Sequence, residues 1–236
     1  MAFWKSSISL RVAALVGAIT AGAILWQAPL FGAEAPVFIA PPLVDNPKSA
    51  GPVQTAVLAG GCFWGVQGVF EHVRGVKKVI AGYAGGDGRS AHYDMVSTGT
   101  TGHAESVEIT FDPVAISYGQ ILQIAFSVVE DPTQKNRQGP DYGTQYRSAI
   151  FYANEDQKRI AEGYISQLDQ AHVFKLPIVT RVERLSGFFP AEAYHQDYLI
   201  HNPTQPYIAF NDLPKIENLR RIFPELYSGT PVLARN

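Results

Sequence analysis

Strands and helices that interleave along the chain predict an α/β or α+β fold on a mixed sheet. Short apolar or β-branched runs, several bounded by glycine, alternate with stretches whose apolar residues recur at helical spacing. The composition agrees: 236 residues, 46% hydrophobic and 17% charged, with 21 Gly and 16 Pro. That length suits one domain with extensions, and the composition excludes a mostly disordered, collagen-like or coiled-coil chain. No sequence repeat interrupts the pattern. A net charge of −2 gives no electrostatic case for nucleic acid as a partner.

Residues 1–35 read as a targeting segment. Lys5 and Arg11 precede a stretch without charge, Val12 to Phe31, and Ala33-Glu34-Ala35 offers a small-x-small cleavage site. The stretch is also near the ~20 residues that span a bilayer, so a cleaved signal peptide and an uncleaved membrane anchor both stand. Either places the body of the protein outside the cytoplasm, in a periplasm or its equivalent. Residues 36–53, rich in Pro and small side chains, read as an extended linker, and the folded domain is expected over residues 54–236.

Within that domain, Thr55 to Gly60 is a short buried strand ending in glycines. Cys62 to Val73 is a helix with Phe63, Val66, Val69, Phe70 and Val73 on one face. Val76 to Tyr83 returns as a strand, and Gly82 to Gly88 is a loop without the Gly-Lys-Ser/Thr of a phosphate site. Glu105 to Phe111 alternates and is a strand. Tyr118 to Val129 is an apolar helix stopped by Asp131-Pro132, followed by a polar loop from Gln134 to Gly143. Tyr146 to Tyr152 is a strand, and Asn154 caps a helix to about Gln170. Ile178 to Leu185 is a strand, and Pro190 to Tyr198 and Pro214 to Phe223 are short helices.

The single cysteine excludes an internal disulfide and a multi-cysteine zinc site. Cys62 sits where a strand gives way to a helix, after Gly60-Gly61, in a setting like a nucleophile elbow. The unpaired amides and partial positive charge of a first helical turn predict a lowered thiol pKa. Phe63 and Trp64 beside it can wall a small apolar pocket, and can equally be core. None of the six histidines has metal-ligand spacing.

The ordered runs GGCFWG, GYAGG, TGHAE, DPTQ-NRQG-DYGTQYRS and AEAYHQDYL resemble the A-type methionine sulfoxide reductases, the peptide-methionine (S)-S-oxide reductase family, from about Thr55 to Pro203. The resemblance implies a two-layer sandwich with a mixed sheet and a ferredoxin-like core. It implies that Cys62 attacks the sulfoxide sulfur and that Glu105 protonates the oxygen. It gives Tyr93 and Tyr146 as donors to that oxygen, Asp141 as an orienting carboxylate, and Phe63 and Trp64 as the methyl pocket. His195 matches a histidine in the same neighbourhood. The resulting sulfenic acid is a reversible oxidation state. Many members carry resolving cysteines near the C-terminus; this chain has none and resembles the single-cysteine branch. Ser97 stands where other members often have cysteine, and Pro140 and Tyr142 flank Asp141 where Asn and a smaller residue were expected.

The expected activity is reduction of the S epimer of methionine sulfoxide, free or in oxidised proteins, with no metal or organic cofactor. Cys62 is expected to be regenerated by an external thiol, thioredoxin-like or glutathione-like, and the protein to be a monomer. A secreted cysteine hydrolase using Cys62 and His195, with Asp197 completing a triad, is the alternative. A binding module with an inert, buried Cys62 is the third class.

Overall fold

The first strand, β1 (Gln54–Ala59), carries apolar residues on both faces, as a central strand must. Gly61, at φ +91°, turns the chain out of it into α1 (Phe63–Glu71). β2 (Val76–Ala84) and β3 (Ala104–Phe111) follow, with the one-turn helix α2 (Tyr93–Val96) between them. This computed structural model describes Met1, residues 35–46 and residues 51–234. All but Met1 lie in one compact unit, Phe31–Asn236. The expected targeting segment, 1–35, falls almost wholly outside the described residues.

α3 (Tyr118–Ile124) starts from a capping box in which Ser117 and Gln120 satisfy each other's backbone amides, and it ends in a π-helical turn, Ala125–Val129. A small ladder, β4 (Arg137–Gln138) with β5 (Asp141–Tyr142), leads to a 3₁₀ turn, Thr144–Tyr146, and to β6 (Ala149–Tyr152). Asn154 caps α4 (Glu155–Gln170) by accepting from the Gln157 amide. β7 (Arg181–Arg184), β8 (Phe188–Pro190), a 3₁₀ turn Ala193–His195 and α5 (Tyr198–His201) come next. A second π-helical turn, Ile208–Asp212, runs into α6 (Leu213–Ile222).

The six-stranded sheet has the order β7-β6-β1-β3-β2-β8. Its inner four strands, β6-β1-β3-β2, are antiparallel and have the ferredoxin-like arrangement. β7 adds in parallel to β6, and β8 adds antiparallel to β2, which makes the sheet mixed. The main core holds Phe63, Val66, Val69 and Phe70 of α1, Tyr118, Ile121 and Leu122 of α3, and Ile160 and Tyr164 of α4. The α+β class and the two-layer reading hold.

Several boundaries differ from the sequence reading. Pro190–Tyr198 is not a helix: Pro190 closes β8, only Ala193–His195 turns, and Asp197 at φ +55° breaks the chain before α5. The strand expected from Tyr146 starts at Ala149, because Gly143 at φ +136° and the 3₁₀ turn occupy the preceding residues. β4, β5, β8 and α2 are too short for periodicity to register.

Residues 37–45, within the expected linker, form neither helix nor strand but are anchored. The Val37 amide donates to the Ser127 carbonyl at 2.9 Å. Gln123 Nε2 donates to the Ile39 carbonyl at 2.9 Å, and Tyr164 Oη to that of Ala40 at 2.6 Å. The Asp45 carboxylate accepts from Ser117 Oγ and from the Gly119 amide at the start of α3. Ile39 is buried and belongs to the core.

The C-terminal tail is fastened as well. The amides of Ser228 and Val232 donate to the carbonyls of His72 and Glu71, at 2.7 and 2.9 Å, and the Arg74 amide donates to Leu226. The Ala234 amide donates to Asp197 Oδ1 at 2.8 Å. These contacts lie at the C-terminal end of α1, opposite Cys62.

Candidate active site

Cys62 is the N-cap residue of α1 and is 9% exposed. Around it gather the side chains that the family resemblance names. Glu105 comes from β3, Tyr93 from α2, Asp141 from β5, Tyr146 and His195 from 3₁₀ turns, and Phe63 and Trp64 from the first turn of α1. The antiparallel β2–β3 pair and the β1–α1 turn therefore bring a carboxyl and a thiol together from positions far apart in the chain.

Glu105 Oε2 accepts the Phe63 amide at 3.0 Å, so the first free amide of α1 is committed to a carboxyl. Burial pushes Glu105 up to about 8, against the lowering effect of that amide, and Asp141 and Asp212 add to the rise. At neutral pH it carries a proton in an almost water-free place, which is the state a general acid needs.

The Cys62 thiol is held well above its usual range, first by burial and then by Glu105, Asp212 and Asp141; the Trp64 amide opposes this. This corrects the lowered thiol expected from the helix start. The positive end of α1 exists, but Glu105 uses part of it and buried acids surround the sulfur.

Trp64 Nε1 donates to His195 Nδ1 at 3.2 Å. Indole N–H can only donate, so the His195 proton sits on Nε2. Burial lowers the His195 pKa, keeping the ring neutral. The ring packs 5.0 Å from Phe63 and 4.5 Å from Tyr93, centroid to centroid. Asp197 instead binds the Ala234 amide, so cysteine, histidine and Asp197 form no relay. Nothing favours the hydrolase. Among the described residues, no group of three or more His, Cys, Asp or Glu side chains is placed to hold a metal ion.

The neutral hydroxyls of Tyr93 and Tyr146 flank the thiol and Glu105: burial raises both phenols, and the charges of Glu105 and Cys62 raise them further. The site can thus offer a nucleophile, a neutral acid and two phenolic donors beside an aromatic wall.

Other contributors lay outside the sequence reading. Tyr207 Oη donates to Asp141 and orients it. Tyr198 stacks on Trp64 at 3.9 Å. Glu192 accepts from the Tyr93 amide at 3.0 Å and from Tyr83 Oη at 2.9 Å, fixing α2. Tyr198 and Glu192 lie within the AEAYHQDYL run without having been singled out, and Tyr207 lies beyond the five matched runs.

Comparison with known proteins identifies the family. Residues 54–226 match the family model described as peptide methionine sulfoxide reductase. The chain is 60% identical over 186 residues to peptide methionine sulfoxide reductase MsrA 2 of Mesorhizobium japonicum, covering 79% of this chain and 95% of the relative. It is 51% identical over 187 residues to the MsrA 2 of Synechocystis, covering 78% and 87%. Among solved structures it is similar to methionine sulfoxide reductase A of Corynebacterium diphtheriae, at 32% identity and TM-score 0.56 over 74% of this chain and 88% of that one. Reduced Mxr1 of Saccharomyces cerevisiae gives 30% identity and TM-score 0.58 over 66% and 91%. Family model, relatives and fold agree, and the chain belongs to the peptide methionine sulfoxide reductase family.

Proposed function

We propose that the protein reduces the S epimer of methionine sulfoxide, free or in proteins, with Cys62 as nucleophile and Glu105 as acid. The observation that carries this reading is the buried Glu105 carboxyl, bonded to the amide next to Cys62 and raised to about 8. A sulfoxide oxygen leaves poorly until it is protonated, and a carboxyl that keeps its proton at neutral pH can supply that proton.

In the first step the Cys62 sulfur bonds to the sulfoxide sulfur while Glu105 protonates the oxygen. Tyr93 and Tyr146 donate to that oxygen as charge develops on it. The thiol proton replaces the one Glu105 gives up. The bond between the two sulfurs then breaks, its electron pair leaving with methionine, as the oxygen passes to the Cys62 sulfur and a sulfenic acid remains. Phe63 and Trp64 wall the substrate methyl group, His195 holds the indole, and Asp141 orients groups around the sulfur.

Regeneration needs two external thiols. The first condenses with the sulfenic acid to a mixed disulfide and water; the second releases Cys62 as thiol and leaves with the first as a disulfide. The reductant is external, because this chain has no second cysteine, and we propose a thioredoxin-like or glutathione-like thiol for it.

The test is a single-turnover assay on both epimers. Without reductant the protein should release about one methionine per molecule from the S epimer, since one thiol accepts one oxygen. With a dithiol it should turn over repeatedly. Methionine release by Cys62→Ser, or consumption of the R epimer alone, contradicts the reading.

We further propose that residues 1–35 export the domain, on the support of Lys5, Arg11 and the charge-free stretch Val12 to Phe31. N-terminal sequencing of the mature protein distinguishes a cleaved signal from an anchor. Recovery of the active protein in the cytoplasm contradicts both.

A further inference from the structure

Two glycines frame the Cys62 turn, and each is pressed by a buried carboxyl that the reaction scheme above does not use. A Cβ on Gly60 would lie 2.8 Å from Glu130 Oε2, and a Cβ on Gly65 would overlap Asp212 Oδ1. Asp212 is wholly buried, and neither of its carboxyl oxygens has a hydrogen-bond partner. Its nearest cation is Lys215, with Nζ 3.9 Å from Oδ1. Lys215 is the only lysine buried among the described residues. It sits in the first turn of α6, where the helix dipole disfavours a cation. Its charge reaches Asp212, Asp141 and Glu130, which all three carboxyls feel as a lowering against burial.

We propose that Lys215 is a positioning residue of the reaction: its buried ammonium balances the carboxyls packed against the Cys62 turn and so governs how readily the thiol gives up its proton. Asp212 is the partner through which it acts, placed against the first turn of α1 by the missing Cβ of Gly65. The ionisable groups that face Cys62 are Glu105 of β3, Asp141 of β5, Asp212, Tyr93 of α2, Tyr146 and Tyr207. Among the described residues, Lys215 is the cation that acts on Asp212 and Asp141 of this set. Removing it leaves an acid-only shell and must disfavour a further negative charge on sulfur. Removing Asp212 alone has the opposite sign, because the ammonium then has one carboxyl fewer to offset.

The experiment measures the alkylation rate of Cys62 by iodoacetamide against pH in the full chain. Lys215→Met should move the midpoint up by about half a pH unit or more, slowing alkylation about threefold at fixed pH below it. Asp212→Asn should move the midpoint down. The double variant should return near the wild-type profile, and Lys215→Arg should preserve it. A purely local ion pair would leave all four profiles alike, and general loosening of the site would shift all of them the same way; either result overturns the proposal. If Lys215→Met does not fold by circular dichroism, Asp212→Asn decides: an unchanged or raised midpoint overturns it. The inference rests on Cys62 as the reacting thiol, and methionine release by the wild type is measured alongside. Unaltered profiles with release intact remove this role alone, whereas absent release removes the reaction scheme.

Discussion

Glu105 and Cys62 are a coupled pair set side by side by one backbone amide. Because the carboxyl is raised to about 8, its acid form is present at neutral pH and is lost as pH rises through that value. The single-turnover rate of the wild type is therefore expected to fall above about pH 8. Glu105→Gln should lose a factor of about 10²–10³ and show a flat profile over the same range. A stopped-assay pH series on both proteins checks this; a wild-type rate that climbs through pH 9 contradicts it. Gly65→Ala should destabilise the fold by about 1–3 kcal/mol, since the new methyl group meets the Asp212 carboxyl, and urea unfolding reads that cost. The side chains that the fold brings together around Cys62 were legible because each lies in a dense motif: Cys62, Phe63 and Trp64 in GGCFWG, Glu105 in TGHAE. Tyr207, Asp212 and Lys215 were not, because their meaning comes from contacts with α1 and β5 across the fold. The thiol's protonation was misread for a related reason: local sequence displays the helix start but not the acids that surround it.

At the scale of elements, periodicity recovered what has a face to bury. α1, α3 and the central strands lay where apolar or β-branched runs placed them, and α4 where its Asn154 cap did, within a few residues. Pieces defined by turns were lost, because Asp197 in a left-handed conformation and Gly143 at φ +136° leave no mark on a hydrophobic pattern. Residues 37–45 show the same limit. Proline and small residues suggested free chain, but backbone carbonyls and one carboxylate hold the segment to α3 and α4. Asp45→Ala removes acceptors from both Ser117 Oγ and the Gly119 amide at the α3 start. It should cost about 1–2 kcal/mol in urea unfolding. No loss would mean that the segment adds nothing to the stability of the domain.

The whole molecule carries an unusual store of buried acid. Burial raises Glu71 to about 9, Glu105 and Glu130 to about 8, and Asp212 to about 7. In the unfolded chain such groups release their protons near pH 4–4.5. Between there and about pH 9 the native state binds more protons than the unfolded state, so stability should decline as pH rises across that window. Thermal unfolding from pH 5 to 8 should give a falling Tm; a rising one would place the carboxyls in an ionised state. The fastened tail has a consequence for how the enzyme is regenerated. The 9 residues of α1 separate its two ends by about 13 Å, and the described tail is tied to the end away from the sulfur. No segment of this tail waits beside Cys62 to trap the oxidised form in an internal bond. Recovery is a bimolecular event whose speed scales with the concentration of reductant outside, and a compartment that runs short of electrons stalls the enzyme with its oxygen still aboard.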